Sequence, residues 1–239
     1  MIEHVWLTAD KPRVMLQTLA RLHRHLNRPV SERKMRFFAY HGCRFAWAAI
    51  RDERSRTAIE LGELALIERC TNDQFATAVE QAQAAYDDAA AAASGPYTRE
   101  AYNAVQGAGM VLRAVLGVHM DNCIVKVRDA ILFSESIAEQ PENLRAEIAG
   151  LLSGMASALR DIFGNPFRPV AFSPEWQTGT AASIARAMYD SRDFGAMPIL
   201  ADALQDAGCD SEEILSHCRD PHGVHVRGCW VVDLVLGKA

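Results

Sequence analysis

"TNDQFATAVEQAQAAYDDAAAAASGP", residues 71 to 96, decides the fold class. Thr71 followed by Gln74 is the T-x-x-Q capping box, in which each side chain satisfies a backbone N–H that the first helical turn leaves without a partner. Alanine, the best helix former, then carries the segment through the low-complexity run Ala89–Ala93, until Ser94, Gly95 and Pro96 break it. Apolar residues recur at helical spacing along nearly the whole chain, whereas alternating patterns bounded by turn residues are scarce. The sequence predicts an all-α protein.

On the N-terminal side of this stretch, Met15, Leu16, Leu19, Leu22 and Leu26 form the apolar stripe of one helix, which Asn27, Arg28 and Pro29 end. Ser31 is placed to cap a second helix, carrying Met35, Phe37, Phe38, Phe45, Trp47 and Ile50; so aromatic a segment anchors a core. On the C-terminal side, Thr98 restarts a helical pattern through Val118 to Ser136, and Pro141 opens another helix ending near Phe163. Within the middle pattern His119 and Cys123, either side of Asp121, share a helical face, but one such pair does not make a site.

"RDIFGNPFRPVAFSPEW", 160 to 176, contains three prolines and a Gly–Asn pair, so it reads as a linker rather than a helix. Its Phe163, Phe167, Phe172 and Trp176 are too apolar for a loose tether and are expected to bury. The organisation predicted is a helical body over 1–159 with a basic N-terminal quarter, an ordered linker over 160–178, and a C-terminal helical subdomain over 179–239. In that subdomain helices are expected from Thr180 to Asp190 and from Pro198 to a stop at Gly208. A third, capped by Asp210 with Glu213, holds Ile214, Leu215 and Cys218; after a turn at Pro221 and Gly223, a closing helix through Val226, Cys229, Trp230 and Leu234 stops at Gly237.

The chain has 239 residues, 49% of them hydrophobic, enough for one sizeable domain or two small ones. The first residues, MIEHVWLTADKPR, lack an apolar signal core, and no run of eighteen residues is free of charge, so a cytoplasmic protein without a membrane segment is expected. Six cysteines without the tight spacing of a disulfide scaffold suit reduced thiols. The net charge of −5 conceals an asymmetry: the balance from Lys11 to Arg56 is +9, leaving −14 on the remainder. Attraction between the two parts accounts for this.

The segment "HCRDPHGVHVRGCWVVDL", 217 to 234, concentrates histidine and cysteine. Cys218, His222, His225 and Cys229, with His217 as a substitute for His222, could supply the four N or S ligands of a zinc ion, His225 and Cys229 lying on one face of the closing helix. The spacing lacks the C-x2-C of zinc knuckles, so the preferred reading is a structural hairpin with the cysteines inward and no cofactor, zinc being the alternative. No G-x-S-x-G, P-loop, G-x-G-x-x-G or H-E-x-x-H string occurs, and no catalytic residue is assigned. A non-enzymatic module that binds another protein or itself is therefore expected, as an interaction or accessory subunit. The alternative is a nucleic-acid adaptor in which Arg33, Lys34, Arg36 and Arg44, with Arg21, Arg24 and Arg28, contact phosphates while Tyr40 or His41 stacks on a base.

"RDIFGNPFRPV", "MPILADALQDAGCDSEEILSHCR" and "HVRGCWVVDLVLGK" resemble strings that recur in an uncharacterised family of bacterial paralogues. "VWLTADKPRVMLQTL" and "ERKMRFFAYHGCRFAW" are similar to its N-terminal strings more loosely, in a segment where its members carry a cysteine-richer version of Ala39 to Cys43. The resemblance implies a shared architecture and brings with it no activity and no catalytic residues.

Overall fold

The structure is a computed structural model that describes residues 2–45, 47, 50–93 and 142–238. Among the described residues the helices in chain order are α1 (Ile2–Thr8), α2 (Pro12–His25), α3 (Glu32–Phe45), α4 (Glu53–Ala65), α5 (Asn72–Ala92), α6 (Glu142–Phe163), α7 (Gly179–Ser191), α8 (Met197–Asp206), α9 (Glu212–Arg219) and α10 (Trp230–Val235), with a 3-10 turn at Pro174–Trp176. Among the described residues there is no strand, and the protein is all-α. The stretch from Ser94 to Pro141, including the predicted pattern from Thr98 to Ser136 and the trio His119, Asp121 and Cys123, lies outside the described residues.

The predicted start signals are largely in place. The capping box is complete, with Thr71 Oγ1 accepting from Gln74 N at 3.2 Å and Gln74 Oε1 accepting from Thr71 N at 3.0 Å. Ser31 Oγ accepts from Lys34 N at 3.4 Å at the head of α3. Asn27, just past α2, takes the left-handed angle φ 49 that asparagine tolerates better than most residues. Two details differ from expectation. Ser211, not Asp210, caps α9, accepting from Ile214 N, because a hydroxyl directly before the first helical residue is better placed than a carboxylate one residue further out. The closing helix α10 begins at Trp230, so Val226 and Cys229 lie ahead of it.

The chain divides into two compact units, one made of 11–155 and the other of 1–10 with 156–239. This differs from the predicted arrangement of 1–159, 160–178 and 179–239. The division falls inside α6, which continues unbroken to Phe163, and the first ten residues belong with the last third of the chain.

In the unit 11–155, Tyr40 and Cys43 of α3, Ile50, Ala58 and Ile59 of α4 and Ala78 and Ala82 of α5 form one buried cluster. Ala78, Ala82 and Ala85 lie one helical turn apart on the face of α5 that is buried, and side chains this small let α4 and α5 approach closely. Gly62 of α4 leaves room for the Tyr40 ring, which occupies the space its Cβ would take.

In the other unit, α1 is held by the end of α6 and the loop after it. Trp6, fully buried, donates from Nε1 to Gly164 O at 2.9 Å and meets Phe163 edge-on, with ring centroids 6.5 Å apart. Arg160 donates to the carbonyls of Trp6 and Ala9, satisfying the open C-terminal end of α1. Asn165 donates to Glu3 at 2.8 Å, and Arg168 pairs with the same carboxylate, holding it below the ordinary carboxylate range. α8 packs on α7 and α9, and α10 packs on α7 and α9. The linker aromatics Phe163, Phe167, Phe172 and Trp176 are all half-buried rather than sealed in a core.

Trp6→Ala should therefore destabilise this unit by about 3–5 kcal/mol, whereas Phe167→Ala should cost less, about 1–2 kcal/mol, because part of its ring is already in water. Urea unfolding followed by circular dichroism measures both.

Candidate metal centre

α6 ends in the sequence Leu159–Arg160–Asp161–Ile162–Phe163, in which Leu159 and Ile162 are fully buried and Asp161 points into the same interior, with its side chain 1% exposed. An acid in the last turn of a helix is opposed by the helix dipole, and a buried carboxylate needs donors to replace water. Three come from the segment that follows α8. His225 Nδ1 lies 2.9 Å and His217 Nε2 3.2 Å from Asp161 Oδ1, and the backbone N–H of Val226 donates to Oδ2 at 2.8 Å. Burial pushes the Asp161 carboxyl upward, but the hydrogen bonds and charges of His217 and His225 outweigh it, so the group is held below its ordinary value as a carboxylate.

Cys229 completes the cluster. Its Sγ lies 3.3 Å from His217 Nε2, and the ligating atoms of Asp161, His217, His225 and Cys229 all fall within 4.8 Å of one another. The rings of His217 and His225 meet edge-on with centroids 4.9 Å apart, and the Trp230 ring packs 5.2 Å from that of His217. Cys229 is fully buried, and burial, with the Asp161 charge second, raises its thiol well above the ordinary value.

The arrangement is convergent rather than serial. A Cys–His–Asp relay puts the thiol on one ring nitrogen and the carboxylate on the other. Here Sγ and Oδ1 both face the same atom, Nε2 of His217, which cannot accept the thiol proton while donating to the carboxylate. Four lone-pair donors facing one point are instead what a metal ion requires. No family model, no curated protein and no solved structure matches the chain.

The sequence placed His225 and Cys229 in this site, with His217 as a substitute ligand, and all three are there. It also placed them wrongly in secondary structure: His225 and Cys229 lie in an irregular loop, not on a helix face. Of the other two predicted ligands, His222 is exposed at the loop tip, and buried Cys218 is not among the four converging groups. Asp161, 56 residues before His217 in the sequence, was missed. The available signal was an acid among Leu159, Ile162 and Phe163 in a helix's final turn.

The loop is anchored by a second set of buried polar contacts. Arg227 donates to the carbonyls of Tyr189 at 2.7 Å and Asp190 at 2.9 Å, satisfying the C-terminal end of α7. The Tyr189 hydroxyl donates to Asp233 and accepts from Gly228 N at 3.0 Å.

Of the basic residues assigned to a nucleic-acid face, Arg33, Arg36 and Arg44 have partners within the unit 11–155. Arg36 pairs with Glu32, Arg44 with the buried Glu63, and the Arg33 guanidinium lies 4.7 Å over the Phe37 ring; Lys34 is half-buried.

The thiols provide a check on burial. Cys218 and Cys43 are both raised to about 12, chiefly by desolvation. For Cys43 the shift favours the neutral thiol in the folded state; its stabilisation is complete below the ordinary thiol value and is lost as pH rises towards about 12. At pH 8 the thiolate fraction of each is about 10⁻⁴, so among the described cysteines the half-buried Cys70 should react with a disulfide reagent before Cys43 and Cys218, which should react only on unfolding. Mass spectrometry of partly labelled protein reads the order.

Proposed function

We propose that this protein is a non-enzymatic accessory module whose C-terminal unit is organised by a structural zinc ion held by Asp161, His217, His225 and Cys229. The observation that supports the reading is the convergence of four ligating atoms, drawn from α6, α9 and the loop before α10, within 4.8 Å of one another. Zinc with bonds of about 2.0–2.3 Å in a tetrahedron sets its ligands about 3.3–3.8 Å apart, and the separations of 3.2 and 3.3 Å at His217 Nε2 are close to this. One thiolate, two imidazoles and one carboxylate suit a borderline-soft ion. Val226 N on Asp161 Oδ2 orients the carboxylate as an outer partner does around a metal.

Four protein ligands close the coordination sphere, and the near-complete burial of Asp161 and Cys229 keeps substrate away, so the ion's work in this reading is to hold structure. A module of that kind acts by binding another protein or a second copy of itself, which is the role we assign to it.

Protein purified without added metal should carry about one zinc per chain by elemental analysis, and Cys229→Ser or His217→Ala should lose the metal and lower the melting temperature, whereas Cys218→Ser and His222→Ala should keep it. A metal-free wild type that cannot be loaded with zinc would refute the reading. In gel shifts, nucleic acid should bind weakly and lose its affinity steeply with salt, because Arg36 and Arg44 are already paired within the chain. Tight binding at physiological salt that Arg36→Glu removes would restore the nucleic-acid alternative.

A further inference from the structure

Two segments, 192–198 and 218–225, line a cavity of about 400 Å³, and every residue of the lining belongs to the unit of 1–10 with 156–239. Phe194, Met197, Pro198 and Pro221 make its apolar wall, Asp193 and Asp220 contribute carboxylates, and Arg192 contributes a guanidinium. A wall that includes two prolines, whose φ is fixed, is largely formed before anything binds. Ile199, next to Pro198, and Val224, next to Gly223, are 59% and 39% exposed, so apolar surface is left uncovered on both segments.

The charged groups decide which ligand suits this cavity. Asp193 Oδ1 accepts from Gly195 N at 2.9 Å and Asp220 Oδ1 from His222 N at 2.9 Å. Arg192 already has an interaction of its own, whereas among the described residues neither carboxylate has any besides the bond just given, which leaves the second oxygen of each open. An anion entering here would meet two carboxylates, and a neutral apolar molecule would leave both unused. Both aspartates are exposed, and an exposed ion pair contributes little by itself, so charge selects the ligand while the apolar wall retains it. His225, also on the lining, turns its Nδ1 to Asp161 and takes no part.

We propose that this cavity binds an organic amine in its ammonium form, its apolar body against Phe194, Met197 and the two prolines and its ammonium group paired with Asp193 and Asp220. A cavity of this size accommodates a ring with a short basic arm. The recognition groups include none of the four metal ligands, so the proposal does not rest on the zinc reading. A free amine and the lysine side chain of a partner protein share this chemistry, and the probes separate them.

The test uses the full chain as purified and ligand-observed NMR. 2-Phenylethylamine should bind, its neutral counterpart 2-phenylethanol about tenfold more weakly, and phenylacetate not at all. Asp193→Asn and Asp220→Asn each keep an oxygen that accepts from Gly195 N or His222 N and remove the charge alone. Each should weaken the amine about threefold and the two together about tenfold, with 2-phenylethanol and the melting temperature unchanged. Should a variant lower that temperature, the order of amine, alcohol and acid on the unaltered chain still decides. An acetylated glycyl-phenylalanyl-lysyl-glycine amide bound more tightly than 2-phenylethylamine assigns the ligand to a partner's lysine, and the reverse order assigns it to a free amine. If neither cation binds better than the alcohol, if phenylacetate binds as well, or if a folded double variant keeps full affinity for the amine, the proposal is overturned and the metal reading stands untouched.

Discussion

The carboxylate of Asp161 is the constraint on which the C-terminal unit depends. It sits in the interior at the end of α6, between fully buried Leu159 and Ile162, where an unpaired charge would cost several kcal/mol. The chain meets that demand by returning the segment from α9 to α10 over the helix end, so that two imidazoles and one backbone N–H reach the two oxygens. The segment 225–229 is not helical: there the Val226 N–H and His225 Nδ1 turn to the same carboxylate while Cys229 lies alongside His217. The irregular loop is the conformation that this buried charge selects.

Such a loop has few local hydrogen bonds of its own, and the neighbouring polar set compensates for that. Arg227 closes the carbonyl end of α7, and Tyr189 links Gly228 to Asp233 on α10. Arg227 and Gly228, which hold the loop to Tyr189, stand between Val226, which donates to Asp161, and Cys229, which lies against His217. Each short stretch of backbone is thus fixed on both faces, which is how side chains on an irregular segment come to be placed as firmly as those on a helix.

The sequence made the helices legible because their signals are local. Thr71 with Gln74 and the alanine periodicity of α5 need nothing beyond the segment itself, and both are seen in the structure. The cluster was half legible. His217, His225 and Cys229 are close in sequence and chemically conspicuous, whereas Asp161 becomes a member through tertiary folding alone, and acids at helix ends are too common to single one out. His225 and Cys229 were assigned to a helix because a spacing of four suggests one face, but the competing demand came from a carboxylate far upstream. The unit boundary failed for a related reason. Prolines at 166, 169 and 174 mark where α6 must have ended, not where the interior divides, and nothing near Trp6 announces that its partner is Gly164.

Trp6 and Gly164 are 158 positions apart, and the unit 11–155 is enclosed between them in the chain. The molecule therefore matures in an order different from the order in which it is made. At about 5–20 residues per second, α1 leaves the ribosome roughly 8 to 30 s before the end of α6 that will cover it, and the enclosed unit can condense in the meantime. During that interval Trp6 and the carbonyl end of α1 lack the partners that Gly164 and Arg160 supply in the folded chain. Closure of α1 waits for the end of α6 to emerge.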